Sequence, residues 1–483
     1  MKHLSTSTTN QLLNYARRGA LLLALGAAGP AAWGQRFGPM GIYPFSATNI
    51  PNALALADVN GDGRLDVITA NAGSNTVGIL AGLTGGGLGP ATFYPVGAGS
   101  TPNAVVVADV NEDGRLDIVT ANYGTNSVGV LLGAAGGSFA PANTYGVGAA
   151  SGPYGVAVGD VDNDGHPDIV SANYGSHTVG VLVGLGGGGF APVSTYSTGA
   201  KSYPSSVVIA DLDHDGRPDL ATASYGAHAV GLLRGLASGG FQAFANRLFT
   251  TSSRPTDISL ADINRDGWPD LVTSNDDSNS VGVLTSSGSG NFFDSTYATG
   301  AMGPLGVAVG DVTGDGRPDY VTANTYTTLP ASNVTVFVPG AGSTPTSTRY
   351  GTTTPSSASD VALGDLNGDG RLDIVMALII DLASNGVGVL LNTGTYTPLA
   401  TALPTAANLS LAPNPAHDAF TVQLPAGTTP GPAELLNSLG QVVRRPAGAG
   451  PRFTVETAGL APGIYTLRMR LGTATVARRV VVE

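Results

Sequence analysis

The sequence contains no cysteine, and only 12% of its 483 residues are charged. The absence of cysteine excludes a disulfide framework and any metal site built from thiolates. The net charge of −12 argues against a nucleic-acid partner, because binding to a phosphate backbone depends on basic surfaces. No apolar run approaches the roughly 20 residues that a membrane-spanning helix needs, so we expect no transmembrane segment.

The acidic residues are concentrated in one short motif. In residues 160–168, aspartates lie at positions 1, 3, 5 and 9 and Gly165 lies at position 6, as in the first half of an EF-hand calcium loop. The side chains at positions 1, 3, 5 and 9 and the backbone carbonyl at position 7 would supply the oxygen ligands. The glutamate that an EF-hand carries at position 12 is replaced by Ser171, and short apolar runs typical of strands flank the loop.

The motif occurs seven times, at spacings of 51, 51, 51, 51, 49 and 54 residues, and we number the loops 1 to 7 in chain order. The alternative, that each Asp-Gly pair is only a hairpin turn, does not explain further oxygens at fixed offsets. We therefore predict up to seven Ca²⁺ sites, formed by positions 1, 3, 5, 7 and 9 of each loop: Asp58, Asn60, Asp62, Arg64 and Asp66; Asp109, Asn111, Asp113, Arg115 and Asp117; Asp160, Asp162, Asp164, His166 and Asp168; Asp211, Asp213, Asp215, Arg217 and Asp219; Asp262, Asn264, Asp266, Trp268 and Asp270; Asp311, Thr313, Asp315, Arg317 and Asp319; Asp365, Asn367, Asp369, Arg371 and Asp373.

The number of carboxylates predicts a ranking of these sites. Loops 3 and 4 each carry four acids and should bind calcium most tightly, whereas loop 6, with Thr313 at position 3, should bind it most weakly. Three aspartates in each loop, together with Asp162 and Asp213, make up 23 of the 34 acidic residues of the chain. The negative charge therefore belongs mainly to the predicted sites.

Each repeat contains four short apolar segments separated by turn residues, which predicts the four antiparallel strands of a propeller blade. Seven repeats predict an all-β fold, a seven-bladed β-propeller over residues 35–395. The residue before each loop is always small, as expected where first strands crowd around an axis: Ala57, Ala108, Gly159, Ala210, Ala261, Gly310 and Gly364.

The two ends of this region complement each other. The seventh repeat lacks the Phe-x-Pro and Tyr pattern of a fourth strand, and the pattern appears instead at residues 37–43, before the first repeat. We expect this N-terminal strand to complete the last blade and to remove the open edge of the sheet.

Residues 37–395 resemble FG-GAP/VCBS repeats, the family of the integrin α-chain propeller. The resemblance rests on the seven loops and on segments such as residues 172–182, Ala-Asn-Tyr-Gly-Ser-His-Thr-Val-Gly-Val-Leu. It implies calcium in the blade hairpins and an adhesive or ligand-binding role, with an extracellular protein or glycan as the partner.

The N-terminus has the parts of a secretory signal. Arg17 and Arg18 precede an apolar core at residues 20–27, and a small-x-small cleavage pattern ends at Gly34. We expect residues 1–34 to be a signal peptide and the mature protein to be exported, to the medium or the outer cell surface.

Composition changes after a Thr/Pro/Ala-rich linker at residues 396–408. Residues 409–483 predict a small β-sandwich with strands at 420–424, 433–437, 452–456, 464–470 and 475–482. Segments such as residues 460–465, Leu-Ala-Pro-Gly-Ile-Tyr, resemble the C-terminal sorting domain of the type IX secretion system of Bacteroidetes. The resemblance implies contact with the secretion machinery and passage through the outer membrane; the alternative is a generic immunoglobulin-like cap.

A second candidate site lies at the blade end opposite the loops. Blades 2 to 4 gather aromatic and imidazole side chains there: Tyr123, Tyr154, Tyr174, His177, Tyr203, Tyr225 and His228. Such residues suit stacking on sugars or docking of a protein. The alternative is that they are ordinary turn residues, at surface positions whose sequence varies from one repeat to the next.

We predict no catalytic residues. The sequence has no GxSxG or HExxH motif and no cysteine nucleophile, and its histidines do not combine with a second catalytic group. Three functions remain open: a surface adhesin or binding module, which we favour, a lectin-like carbohydrate-binding protein, and a polysaccharide-active enzyme on a propeller scaffold.

Overall fold

A computed structural model describes residues 36–242, 245–248, 253–288, 292–325, 333–339, 345–352, 356–380, 384–394, 410–412, 416–424, 430–437, 442–446, 452–460, 463–471 and 474–482. The expected signal peptide (1–34) and linker (396–408) lie outside the described residues. The chain divides into two compact units, Met1–Tyr396 and Thr397–Glu483.

The first unit contains seven four-stranded antiparallel sheets, the blades; six are each built from one repeat, and the seventh combines the last repeat with an N-terminal strand. The first strands are Pro51–Ala57, Pro102–Ala108, Pro153–Gly159, Pro204–Ala210, Pro255–Ala261, Pro304–Gly310 and Ser357–Gly364. The second strands are Asp66–Asn71, Asp117–Asn122, Asp168–Asn173, Asp219–Ser224, Asp270–Asn275, Asp319–Asn324 and Asp373–Ile379. Six first strands begin with proline, which a strand tolerates at its first residue.

The third strands are Thr76–Leu80, Ser127–Leu131, Thr178–Leu182, Ala229–Leu233, Ser280–Ser286, Val334–Val338 and Ser384–Leu390. The fourth strands are Thr92–Pro95, Asn143–Gly146, Ser194–Ser197, Ala245–Leu248, Phe292–Ala298 and Thr346–Tyr350, with Gly41–Ser46 serving blade 7. Minor elements are the paired strands Gly133–Ala134 and Ser138–Phe139 and the 3₁₀ turns Tyr123–Thr125 and Tyr225–Ala227.

The blades form a closed ring. The first strand of each blade packs against the first strand of the next, and that of blade 7 packs against that of blade 1. Gly41–Ser46 pairs antiparallel with Ser384–Leu390, with Tyr43 opposite Val387. The N-terminal strand and the last repeat therefore form blade 7 together. The predicted all-β, seven-bladed propeller is confirmed.

The hydrophobic core lies between blades. Every residue of the second strand is buried in blades 1 to 6, whereas the fourth strand of blade 1 is largely exposed. One cluster, for example, joins Ile68 and Val77 of blade 1 to Ile118 and Leu131 of blade 2. A single blade therefore cannot bury its apolar surface alone, as in other repeat architectures.

Packing between blades also explains two of the small residues that precede the loops. A Cβ atom at Gly364 would lie 2.7 Å from Leu65 and 2.8 Å from Leu56, and one at Gly310 would lie 2.8 Å from Leu372. The crowding at these positions comes from leucines of the following blade.

The C-terminal unit has two antiparallel sheets. One contains Ser410–Ala412, Ala419–Gln423 and Arg452–Glu456, and the other contains Pro430–Leu436, Val442–Arg444, Gly463–Leu471 and Ala474–Val482. Both sheets contribute to one core, which includes Phe420, Val455, Leu435 and Leu467. This arrangement is the predicted β-sandwich. In the described part of the whole chain, no helix is long and apolar enough to cross a membrane.

Candidate metal-binding loops and aromatic face

The aspartate at position 1 organises the backbone of every loop. In loop 1, Oδ1 of Asp58 accepts the N–H groups of Gly61 (2.7 Å) and Asp62 (3.0 Å), and Oδ2 accepts the N–H of Gly63 (2.7 Å). The bond from the position 6 glycine to Oδ2 of position 1 recurs in all seven loops, at 2.6–3.0 Å. The loops therefore share one backbone conformation with the position 1 carboxylate at its centre.

The side chains at positions 1, 3 and 5 converge. Carboxylate oxygens of Asp160, Asp162 and Asp164 lie within 4.8 Å of one another, and so do those of Asp211, Asp213 and Asp215. Where position 3 is asparagine, its Oδ1 accepts the N–H of position 5, as in the bond from Asp62 to Asn60 (2.9 Å). The corresponding carboxylate oxygen of Asp162 accepts the N–H of Asp164 (3.2 Å), so an asparagine presents its oxygen as an aspartate does.

The side chain at position 7 contacts position 5 in four loops. Arginine guanidinium groups pair there with the neighbouring aspartate: Arg64 with Asp62, Arg115 with Asp113, Arg217 with Asp215 and Arg371 with Asp369. Nε of Arg64 also donates to the carbonyl oxygen of Gly82 (3.0 Å), which ties the loop to the end of the third strand. In loop 4, Arg234 pairs in addition with Asp213.

The aspartate at position 9 is placed differently from the other four positions. Asp168 and Asp219 are outside the two clusters and are 0% and 2% exposed. Oδ2 of Asp168 accepts the N–H of Val161 (2.7 Å), and Oδ1 accepts the N–H of Gly184 (2.7 Å). Each oxygen therefore already holds one backbone hydrogen bond and retains one lone pair.

Burial raises the pKa of the position 9 carboxyls. Their desolvation is the largest effect, and it brings the pKa of Asp168 and of Asp219 to about 6 and that of Asp319 to about 7. Two backbone N–H bonds to Asp168 act in the opposite direction and favour its ionised form.

Loop 6 departs from its sisters. The carbonyl oxygen of Thr313 accepts a hydrogen bond from Nη1 of Arg36 (2.9 Å), so a guanidinium lies against this loop. Oδ2 of Asp319 accepts the N–H of Thr313 (2.9 Å), but Oδ1 has no hydrogen-bond partner among the residues that the structure describes.

Neighbouring loops touch one another through position 4. Nδ1 of His166 lies 2.6 Å from Oε1 of Glu112, and the ring of His214 stacks on Trp268 with centroids 4.0 Å apart. Nδ2 of Asn163 donates to the carbonyl oxygen of Gly216 (3.2 Å). Loops 2 to 5 thus form a connected row at one end of the propeller, a feature that the repeat pattern alone did not indicate.

The predicted tyrosines come together at the other end. Ring centroids are 6.3 Å apart for Tyr123 and Tyr154, 5.6 Å for Tyr154 and Tyr174, 4.9 Å for Tyr174 and Tyr203, and 6.2 Å for Tyr174 and Tyr225. We call these five residues the tyrosine face. All five are partly buried, and burial together with neighbouring tyrosines raises the pKa of Tyr174.

The two predicted histidines have a backbone role. His177 and His228 occupy the left-handed region, with φ of 57° and 54°, at the position where other blades carry asparagine. Nδ1 of His177 accepts the N–H of Tyr203 (3.3 Å), as Oδ1 of Asn126 accepts that of Gly152 (2.9 Å). His177 therefore links its blade to the next one, and its ring also lies 4.3 Å from that of Tyr203.

Two groups of residues were not anticipated from the sequence. Arg254 lies over the ring of Tyr225 at 5.3 Å and pairs with Asp277 (Nε to Oδ2, 3.1 Å), which extends the tyrosine face into blade 5. Asp257 and Asp360 lie on the first strands of blades 5 and 7. Burial raises the pKa of both, and burial together with the smaller repulsion from Asp257 brings the pKa of Asp360 to about 8.

The likeness of the chain to one solved structure supports the propeller fold. A catalytically inactive virginiamycin B lyase from Staphylococcus aureus, solved with quinupristin, is 16% identical, covers 73% of this chain and 100% of its own, and has a TM-score of 0.51. The periplasmic gluconolactonase of Pseudomonas aeruginosa is 19% identical, covers 62% of this chain and 86% of its own, and has a TM-score of 0.46. At such identities the likeness concerns the fold alone.

Among curated proteins, none matches the chain. The family model described as an FG-GAP-like repeat matches residues 58–120, 109–171, 160–222, 212–273 and 262–322, which together make up more than half of the chain. The model described as a secretion system C-terminal sorting domain matches residues 410–483. The chain therefore belongs to the family of FG-GAP-like repeat proteins and ends in a type IX secretion sorting domain.

Proposed function

We propose that the seven loops bind calcium and that the exported protein serves as an adhesion or ligand-binding module at the outer cell surface. One observation carries the proposal: Asp160, Asp162 and Asp164 place carboxylate oxygens within 4.8 Å of one another, in a loop whose backbone the first of them already holds. Carboxylates this close repel one another, and a divalent cation turns that repulsion into coordination.

The donor set favours calcium over other metals. Every candidate ligand is an oxygen, from a carboxylate, an amide, a hydroxyl or a backbone carbonyl, which suits a hard cation rather than zinc or copper. Calcium accepts six to eight such ligands in flexible geometry, whereas magnesium demands a near-ideal octahedron. The position 7 carbonyl, for example that of Arg64 or His166, would complete the set.

The aspartate at position 9 would hold the loop in place through hydrogen bonds to the backbone. Both oxygens of Asp168 already accept backbone N–H groups, one from the loop and one from the end of the third strand. We propose that this residue fixes the loop to the blade and offers the ion no more than its remaining lone pairs.

Calcium would stabilise the fold rather than take part in a reaction. Each loop joins the first and second strands of a blade, so an ion held there fixes the hairpin. Loops in extracellular modules typically bind calcium with dissociation constants of about 10⁻⁴ to 10⁻³ M. A site exposed to about 100 times its dissociation constant would add roughly 2.7 kcal/mol to the free energy of unfolding.

The sorting domain supports a location outside the cell. A type IX sorting tail implies export, which takes the propeller to a compartment where calcium is available. The calcium loops occupy one end of the blades and the tyrosine face occupies the other, so metal binding and ligand binding would use separate surfaces. The matched models describe a repeat and a sorting tail, which supports a binding role rather than a catalytic one.

A calcium titration of the full chain by calorimetry tests the metal sites. The double variant Asp160→Asn with Asp164→Asn removes two charges from loop 3, and the control Asp418→Asn removes one from an exposed position of the C-terminal unit. We expect the double variant to bind one calcium fewer and the control to match the wild type. Absence of calcium binding by the wild type, or equal stoichiometry in all three proteins, would contradict the proposal.

A further inference from the structure

We propose that the tyrosine face binds a neutral polysaccharide chain. The inference gives a ligand class to the binding role proposed above, and in that respect it rests on that role. The first observation is contiguity: the five rings come from three consecutive blades, and each lies 4.9–6.3 Å, centroid to centroid, from another of the set. They therefore form one continuous aromatic surface across two blade boundaries.

The blade fold does not require these tyrosines. At the turn after the second strand, blades 1, 5 and 6 carry Ala72, Asp276 and Thr325 where blades 2 to 4 carry Tyr123, Tyr174 and Tyr225. All of these blades form the same four-stranded sheet. The aromatic residues are thus confined to one sector of a ring whose backbone accepts alanine, aspartate or threonine at the same place.

Tyr203 occupies a backbone conformation that a tyrosine adopts rarely. Its φ is 48°, and the equivalent residues Thr101, Gly152, Arg254 and Gly303 have φ of 47°, 49°, 48° and 56°. The left-handed conformation is therefore a feature of the repeat, and a residue with a Cβ atom adopts it there at some cost. Because glycine satisfies the backbone in two blades, the turn itself does not require the ring of Tyr203.

Four of the five hydroxyl groups of the face have no hydrogen-bond partner among the described residues. Among the described residues, the hydroxyls of Tyr123, Tyr154, Tyr174 and Tyr203 make no hydrogen bond, and only that of Tyr225 bonds, to Arg254. None of these oxygens is a fully buried atom without a partner. A surface of aromatic rings edged with free hydroxyls matches a sugar, whose C–H faces pack on rings and whose hydroxyls form hydrogen bonds.

The charges at its edge favour an uncharged ligand. The guanidinium of Arg254 is paired with Asp277, and Asp276 adds a smaller effect to the burial that raises the pKa of Tyr154 and Tyr225. With the exposed Lys201 two residues before Tyr203, the edge carries two carboxylates and two cationic groups, so it has no excess charge that would favour an acidic polysaccharide. The same residues can donate and accept hydrogen bonds with the hydroxyls of a neutral hexose chain.

The test is retention of the full-length protein, in calcium buffer, on a panel of neutral polysaccharides (laminarin, cellulose, amylose, mannan), with alginate and a polyproline peptide for comparison. Tyr174→Ala combined with Tyr225→Ala removes the centre of the face. The matched control is Tyr297→Ala, because Tyr297 is also partly buried but lies on the fourth strand of blade 5 and packs against a core cluster outside the tyrosine face. Tyr203→Phe keeps the ring and removes one hydroxyl.

We expect retention on at least one neutral polysaccharide, weakened about tenfold or more by the double variant and unaffected by Tyr297→Ala. Tyr203→Phe, which preserves the fold, should weaken retention to a smaller extent. Failure of the wild type to bind any neutral polysaccharide, equal binding by all variants, or preference for alginate or the peptide would each overturn the inference. Calorimetry with calcium separates this inference from the proposed calcium sites. A protein that binds calcium but is retained on no polysaccharide would contradict the polysaccharide ligand and leave the calcium sites intact.

Discussion

Pro339 leaves Oδ1 of Asp319 without a hydrogen bond. In each of the other six blades, Oδ1 of the position 9 aspartate accepts a backbone N–H from a residue at or just after the end of the third strand. These donors are Gly82, Gly133, Gly184, Gly235, Ser286 and Asn392. In blade 6 the residue at that place, two after Phe337, is proline, which has no N–H. A buried carboxylate oxygen without a donor is costly, and it accompanies the pKa of about 7 for Asp319.

The first prediction compares two isosteric substitutions at position 9. Asp117→Asn should lower the free energy of unfolding by about 1–3 kcal/mol, because an amide turned towards the N–H of Gly133 leaves that donor unsatisfied. Asp319→Asn should lower the free energy of unfolding by about 1 kcal/mol less than Asp117→Asn does, because the amide nitrogen of the new asparagine faces no backbone N–H. Chemical unfolding in EGTA at pH 7 measures both, and equal losses would contradict the explanation.

The second prediction concerns pH in the absence of metal. The pKa of Asp168, Asp219 and Asp319 rises from the ordinary 3.8 to about 6, 6 and 7 on folding, so the folded state binds more protons than the unfolded state between these values. In EGTA the free energy of unfolding should therefore be highest near pH 4 and should fall as pH rises through about 7.

Calcium should reverse this trend, because a bound cation favours the ionised carboxylates of the loops. Parallel unfolding curves between pH 4 and pH 8, recorded in calcium and in EGTA, make the comparison. Slopes of the same sign in both buffers would show that the loops do not bind the metal.

The third prediction concerns the carboxylates on the first strands. Burial and the repulsion of Asp257 raise the pKa of Asp360 to about 8, so at pH 6 it is protonated and its folded form carries no penalty. Asp360→Asn keeps an acceptor for the N–H of Leu54 but turns its amide towards the N–H of Val361, so at pH 6 it should lower the free energy of unfolding by about 1–3 kcal/mol. At pH 9 the effect of the substitution should be more favourable than at pH 6 by at least about 1 kcal/mol, because the wild type then carries the charge. A variant with the same effect at both pH values would exclude this account.

The fourth prediction tests the N-terminal strand. Phe45 is 7% exposed and packs edge to face on Phe93 of blade 1, with ring centroids 5.5 Å apart. Phe45→Ala should lower the free energy of unfolding by about 3–5 kcal/mol. Ile42, on the same strand, is 44% exposed, and its replacement by alanine should change stability by no more than about 0.5 kcal/mol. Similar effects for both would indicate that the strand contributes little to the ring.

Much of the fold follows from local information in the sequence. The repeated aspartates fix where each first strand ends and each second strand begins, because the loop length is constant. The C-terminal unit is less regular. The sequence predicts a strand at 420–424, whereas the structure has Ala419–Gln423. The strands Ser410–Ala412 and Val442–Arg444 were not predicted from the sequence. Three-residue strands carry too few alternations to be recognised.

The spacing of the motif predicts only part of the candidate site. Positions 1, 3 and 5 converge because they lie on one turn, so their spacing was informative. The second hydrogen bond of Asp168 comes from Gly184, and that contact depends on how the third strand pairs. The interaction of Asp257 with Asp360 needs blades 5 and 7 to be brought together in the ring, and the contacts of Tyr174 with Tyr203 and Tyr225 need blades 3 and 4 to be packed side by side.

The most direct test of the calcium sites is the thermal unfolding of the full-length protein, measured in millimolar calcium and again after exhaustive dialysis against EGTA. With several sites each adding up to roughly 2.7 kcal/mol at saturation, the midpoint should fall by many degrees on removal of the metal and should recover when calcium is restored. Superimposable melting curves in the two buffers would contradict the claim that calcium holds the blade hairpins together.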